Sequence, residues 1–154
     1  MEKDDRTYNA KSKNDFHGDI SNREHLLKVG ALARQFGAEI GKPEAAGLAG
    51  DFHDFGKYSA RFQGVLLGTH KKIDHAMPGA AELYRRLNMG NTSRKPADGI
   101  CAVEAVAGHH DGLTGMPEIQ EHLEEMLSDD DWARFQQVPL PSWFCWPWQR
   151  IQHL

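Results

Sequence analysis

A chain of 154 residues, 40% hydrophobic and 26% charged, has the composition of a soluble globular protein and the length of one domain with its own core. Its formal net charge of −4 excludes a broad basic surface for nucleic acid, so any such contact must be local or shared with a partner. The sequence has no run of 18 apolar residues and no signal-peptide core, which predicts a cytoplasmic protein without a membrane partner.

Composition divides the chain into three segments. Residues 1–19 are polar and aperiodic, which predicts a flexible N-terminal lead. Residues 20–136 carry the helical patterns and constitute the predicted domain. Residues 137–154 form a tail rich in Trp and Pro, which either covers the core or exposes an apolar patch to a partner.

The first predicted helix begins at a capping box formed by Ser21 and Glu24. His25, Val29, Leu32 and Phe36 follow at spacings of four, three and four. This periodicity predicts that they share one inward face.

Four further helical patterns follow, and none of the chain shows convincing strand alternation. The second helix runs from Pro43 to a stop near Gly56, with a short helix and turn after it. Pro78 lies in the first turn of the third, and a loop at 89–99 precedes the fourth, which ends near Gly112. The fifth covers 116–136. These elements predict an all-α bundle.

Polar side chains gather where the predicted helices begin and end. The second and fourth helices finish in "HDFG" and "HHDG", and a helix C-terminus favours a cation through its dipole. Inward-facing side chains build metal sites in helical bundles. We therefore expect a divalent metal site between helices, with these ligands: His25, His53, Asp54, His75, His109 and His110.

Asp54 is the natural bridging ligand for two ions, an arrangement that suits hydrolysis of a phosphodiester. Lys57 follows one helical turn later and can direct a positive charge at the same phosphate. Asp111 is a weaker candidate ligand. Taken singly, each residue also fits an ordinary role, as a core histidine, a turn aspartate or a lysine at a helix end.

Four short motifs carry a family resemblance: "GLAGD" shortly before "HDFGK", then "DHAMPGA", then "AGHHDGL". Together they resemble the HD-domain nucleases of CRISPR type I systems, which form the nuclease part of the effector nuclease-helicase or a separate small protein. The resemblance runs from about His25 to Leu113. It implies the helical bundle of the HD phosphohydrolase superfamily.

The resemblance also implies roles and partners. The five histidines would be metal ligands, Asp54 and Lys57 would be the catalytic residues, and one or two divalent ions (Mn, Ni, Co, Fe or Mg) would be the cofactors. The implied activity is cleavage of single-stranded DNA in antiviral defence, with a superfamily 2 helicase and the Cascade complex as partners. Members of this family carry one more Asp on a later helix, and here the only aspartates beyond Asp111 are Asp129, Asp130 and Asp131.

Two other functions fit the same residues. The chain could be an HD phosphohydrolase that acts on small nucleotides. It could also be a catalytically impaired module that docks a helicase or Cascade through its Trp-rich tail.

Overall fold

A computed structural model describes residues 8–12, 18–89 and 97–128. The loop predicted at 89–99 therefore lies mostly outside the described residues, as do the tail and the aspartates at 129–131. The described elements are, in chain order, β1 (Asn9–Lys11), β2 (Ile20–Ser21), α1 (Asn22–Glu39), α2 (Pro43–Phe52), a 3₁₀ helix (Phe55–Tyr58), α3 (Ala60–Leu66), α4 (Ala76–Met89), α5 (Ala97–Gly108) and α6 (Met116–Ser128).

Local signals account for the boundaries of the first two helices. The Ser21 hydroxyl accepts a hydrogen bond from the Glu24 N–H at 3.2 Å, as the capping box predicts. Gly41 adopts a φ of 69° in the turn after α1, a conformation that glycine takes without steric cost. Pro43 then begins α2, where its missing N–H costs nothing.

Helices α1 and α2 pack closely because glycines lie at their crossing. A Cβ added to Gly50 would lie 2.8 Å from the Cα of Gly30, closer than real Cβ atoms approach. An ion pair between Arg34 and Asp51 crosses the same interface, and both side chains are mostly buried. The close contact fixes the end of α2 relative to α1.

Helix α4 lies at the centre of the core and contacts α2, α5 and α6. The core is continuous through these helices and the 3₁₀ helix. Its largest fully buried side chains are Leu26, Leu48, Phe52, Phe55, Tyr58, Leu83, Val103, Val106 and Leu123.

The predicted inward face of α1 is wrong in its second half. Leu32 is 52% exposed and Phe36 is 63% exposed. The helix instead buries Leu26, Gly30 and Gly37, because the glycines let α2 approach more closely than large side chains would.

The all-α prediction is confirmed, with one small addition. Residues Asn9–Lys11, inside the predicted flexible lead, form a strand that pairs antiparallel with Ile20–Ser21. Ala10 in that strand is buried. Three and two residues are too few for the alternation that identifies a strand in a sequence.

Within the described residues, every helix is too short or too polar to cross a membrane.

Candidate metal centre

Four helices bring the predicted ligands to one place. His25 lies in the first turn of α1, and His53 and Asp54 directly follow α2. His75 immediately precedes α4, whereas His109 and His110 directly follow α5. The ligands therefore come from helix ends that the core holds together.

The Asp54 carboxylate is the centre of the cluster, with only 5% of its side chain exposed. Its Oδ2 atom lies 2.8 Å from His25 Nε2, 3.1 Å from His53 Nε2 and 2.7 Å from Lys57 Nζ. The lysine belongs to the 3₁₀ helix and is itself buried.

The other carboxylate oxygen of Asp54 faces a second group of imidazoles. Oδ1 lies 3.2 Å from His75 Nε2 and 3.8 Å from His109 Nε2. His110 completes this group, since its Nε2 lies 2.8 Å from that of His75. One carboxylate thus faces two histidine groups, one at each oxygen.

Hydrogen bonds to the backbone fix the tautomers of two ligands. His53 Nδ1 lies 2.8 Å from the carbonyl oxygen of Gly50, and His109 Nδ1 lies 2.7 Å from that of Val106. A carbonyl oxygen only accepts, so Nδ1 must donate. In each neutral ring the Nε2 lone pair then points into the cluster, which is the arrangement of metal-binding histidines.

Asp54 stays ionised in this surrounding. Burial alone would raise its pKa, but in the metal-free cluster hydrogen bonds to the carboxylate from the imidazoles of His109, His25, His53 and His75, when these rings carry a proton on Nε2, hold the pKa of Asp54 well below its usual range. The cluster therefore keeps a negative charge at its centre.

The pKa values of the paired histidines move in opposite directions. Burial acts to lower the pKa of His109, but the Asp54 carboxylate and the Val106 carbonyl outweigh it and raise that pKa. The pKa of His110 is lowered by desolvation and by the positive charge that His109 and His75 carry when protonated.

These residues fit one or two divalent ions. The ligand atoms form two sets in which all atoms lie within 4.8 Å of one another: His25, His53 and Asp54 in the first, and Asp54, His75, His109 and His110 in the second. His109 Nε2 is buried and has no hydrogen-bond partner among the described atoms, and a coordinate bond would satisfy it. The donor chemistry, imidazole nitrogen with one carboxylate, suits transition metals.

The family match agrees with this geometry. The family described as HD domain matches residues 22–134, a span that contains every residue of both ligand sets. The chain belongs to the HD domain family. No curated protein and no solved structure matches the chain significantly.

As an HD domain, the chain is placed in a superfamily of metal-dependent phosphohydrolases. The histidines and Asp54 come together with Lys57, as the sequence predicts. Asp111 is exposed and lies outside both ligand sets. Any contribution from the aspartates at 129–131 falls outside the described residues of the HD domain.

Three side chains around the cluster escaped the sequence interpretation. The ring of Phe62 lies 5.1 Å from that of His75 and 5.4 Å from Lys57 Nζ. Gln63 donates to the backbone carbonyl of Lys57 at 2.7 Å, and Asn22 donates to that of Asp54 at 3.1 Å. Periodicity identifies apolar faces but not the contact of a side chain with a distant carbonyl, so it gives no signal for Asn22 or Gln63. Phe62 alone carried a signal, since it follows soon after "HDFGK".

Proposed function

We propose that this HD domain is a metal-dependent phosphodiesterase that cleaves single-stranded DNA, as the nuclease of a CRISPR type I system. The observation that carries the proposal is the position of Asp54 between two histidine sets. A carboxylate shared in this way suits two neighbouring ions, and two ions suit in-line attack on a phosphodiester.

The charges of the cluster favour an anionic substrate. Apart from a single carboxylate, its candidate ligands are imidazoles, which bind a metal ion in their neutral form, and the Lys57 ammonium group lies 2.7 Å from that carboxylate. When bound, divalent ions supply Lewis-acid stabilisation of phosphate oxygens and lower the pKa of a water molecule. One carboxylate cannot neutralise two such ions, so the loaded site keeps a positive charge that attracts phosphate.

The residues of the chain orient and hold charge at this site. His53 and His109 keep their Nε2 lone pairs fixed through the carbonyls of Gly50 and Val106. Lys57 is restrained by its contact with Asp54 and by the Phe62 ring. We assign Lys57 to a phosphate oxygen, where its ammonium group stabilises the charge that develops during hydrolysis.

The exposure of the candidate ligands favours a single DNA strand as the substrate over a small molecule enclosed in a pocket. His110 is exposed, and 24% of the His25 side chain is accessible at the other set. Pockets for small ligands bury most of the ligand surface, whereas a polymer crosses an open site. Lys71 and Lys72, exposed a few residues before His75, offer local contacts for a phosphate backbone.

Helicase and Cascade partners complete the proposal. A chain with a net charge of −4 gains little from long-range attraction to DNA. A superfamily 2 helicase recruited by Cascade would deliver single-stranded DNA to the open site, and this delivery would replace a broad basic surface.

The same net charge favours a second candidate, an HD phosphohydrolase that acts on small nucleotides. Such an enzyme needs only the local positive charge of the metal centre. It would release phosphate or a nucleoside from a nucleotide and leave polymers intact.

The test compares the substrates at one metal centre. The metal content of the purified chain is measured, and labelled single-stranded DNA and a nucleotide panel are then incubated with Mn²⁺, Ni²⁺, Co²⁺ or Mg²⁺. We expect DNA cleavage that Asp54→Asn and His53→Ala abolish, while His122→Ala, at an exposed histidine on α6, leaves it unchanged.

Other outcomes would favour the alternatives. Hydrolysis of nucleotides alone would favour the small-molecule enzyme. Fewer than one bound ion per chain, with no cleavage in any metal, would favour a docking module. Cleavage that survives both site substitutions would reject the site.

A further inference from the structure

We propose that Asn22 is a positioning residue, which holds the Asp54 turn against α1 so that the carboxylate stands at metal-binding distance from His25. The inference rests on the proposed metal-dependent function and adds to it a residue outside the ligand sets. It is carried by the burial and the hydrogen bonds of the Asn22 side chain.

The Asn22 side chain connects two distant parts of the chain. It is 0% exposed, and its Nδ2 atom donates to the backbone carbonyl of Asp54 at 3.1 Å. Asn22 begins α1, and His25 follows one turn later with its Nε2 2.8 Å from the Asp54 carboxylate. The first turn of α1 therefore holds Asp54 twice, by its main chain and by its side chain.

This amide does not cap its own helix. Ser21 is the N-cap, and its hydroxyl accepts the Glu24 N–H. The backbone N–H of Asn22 donates to the carbonyl of Tyr8 at 2.8 Å. The Asn22 side chain is thus left to the contact with Asp54.

The oxygen of the Asn22 amide argues against a purely structural role for this side chain. Asn22 Oδ1 is buried and has no hydrogen-bond partner among the described atoms. An unpaired buried acceptor is unfavourable, and an apolar side chain of the same size would avoid it. What the amide adds over leucine at this position is the hydrogen bond to Asp54.

The hydrogen bond from Asn22 reaches a residue whose backbone lies between two helices. Residue 54 follows α2 and precedes the 3₁₀ helix. Its carbonyl also accepts the N–H of Lys57, at 3.0 Å, from the same turn. Asn22 adds to the His25 contact a hydrogen bond from α1 to the main chain of this turn.

The experiment measures metal binding rather than hydrolysis. Asn22→Leu keeps the number and branching of the side-chain heavy atoms and removes the donor, and Asn22→Ser, which is smaller and cannot overpack the site, serves as a second variant with the same expectation. Co²⁺ alone and Mn²⁺ alone are titrated calorimetrically, and the visible absorption of bound Co²⁺ reports its coordination geometry. We expect affinity to fall on the order of 10- to 100-fold, with an altered Co²⁺ spectrum at saturation.

Ser21→Ala is the matched control. It removes the cap of the same helix at the neighbouring residue without touching Asp54. We expect it to lower the melting temperature and to leave Co²⁺ affinity and spectrum unchanged.

The outcomes separate this inference from the proposed function. Asn22 variants that bind Co²⁺ with wild-type affinity and spectrum would overturn the positioning role alone, as would an equal loss in Ser21→Ala. A wild-type chain that binds neither Co²⁺ nor Mn²⁺ would overturn the proposed function, and the inference with it. Reduced binding in the Asn22 variants of a protein that leaves DNA intact would support the inference and reject the substrate.

Discussion

Gly56→Ala tests how closely the metal centre depends on backbone packing. A Cβ at Gly56 would lie 2.8 Å from the Cα of His75 and closer still to its carbonyl oxygen. Ordinary contact needs about 3.5 Å or more, so the turn and the segment before α4 must separate by more than about half an ångström. The same movement lengthens the 3.2 Å contact between His75 Nε2 and Asp54 Oδ1.

We expect two measurable effects from this substitution. Overpacking of this kind costs about 2 kcal/mol, which lowers the melting temperature of a chain of this size by about 4–8 °C. Metal affinity falls by about tenfold or more, because His75 moves away from Asp54, the carboxylate with which it would bind the ion.

Calorimetric melting and Mn²⁺ titration measure the two effects. Gly18→Ala is the control, since an added Cβ there would meet no atom within 4 Å. A Gly56→Ala protein that melts and binds Mn²⁺ like the wild type would refute the packing argument.

Three further predictions concern the buried ion pair between α1 and α2, metal binding and the charge of Asp54. Arg34→Met removes the buried partner of Asp51 and should destabilise the fold by about 3 kcal/mol in urea unfolding. Lys42→Met, which breaks an exposed pair with Asp98, should leave the unfolding midpoint unchanged. Equal midpoints in the wild type and both variants would contradict this. Mn²⁺ at 100 times its dissociation constant should stabilise the chain by about 2.7 kcal/mol, raising the melting temperature by about 5–11 °C, and a chelator should reverse the rise. Because the pKa of Asp54 is held below its usual range, this carboxylate should stabilise the metal-free fold above about pH 4 and lose that effect on further acidification. Urea unfolding above and below about pH 4 measures the loss, and an equal loss in Asp54→Asn would contradict the assignment to this carboxylate.

The convergence of the candidate ligands was predictable because its signal lies in local motifs. His53 with Asp54, and His109 with His110, stand at helix ends that capping residues and glycines mark in the sequence. Side chains at such helix ends come together once the helices pack around a common core.

What the sequence could not predict depends on packing between distant segments. The periodicity of α1 assigns Phe36 to an inward face, but the face that meets α2 is decided by the close approach that Gly30 and Gly50 permit. The hydrogen bond from Asn22 to Asp54 spans 32 positions, and its donor resembles an ordinary polar residue at a helix start. Both features appear only once the two helices are placed against each other.

The wide spacing of the ligands along the chain makes any bound ion a cross-link. An ion held by His25 and His53 joins residues 28 positions apart, and one held by His75 and His110 joins residues 35 positions apart. Clips that close long loops restrict the unfolded chain, so metal loading should slow digestion by proteases as well as enable hydrolysis. In a metal-starved cell the protein would then be degraded faster as well as being inactive, and the metal supply would determine its steady-state level.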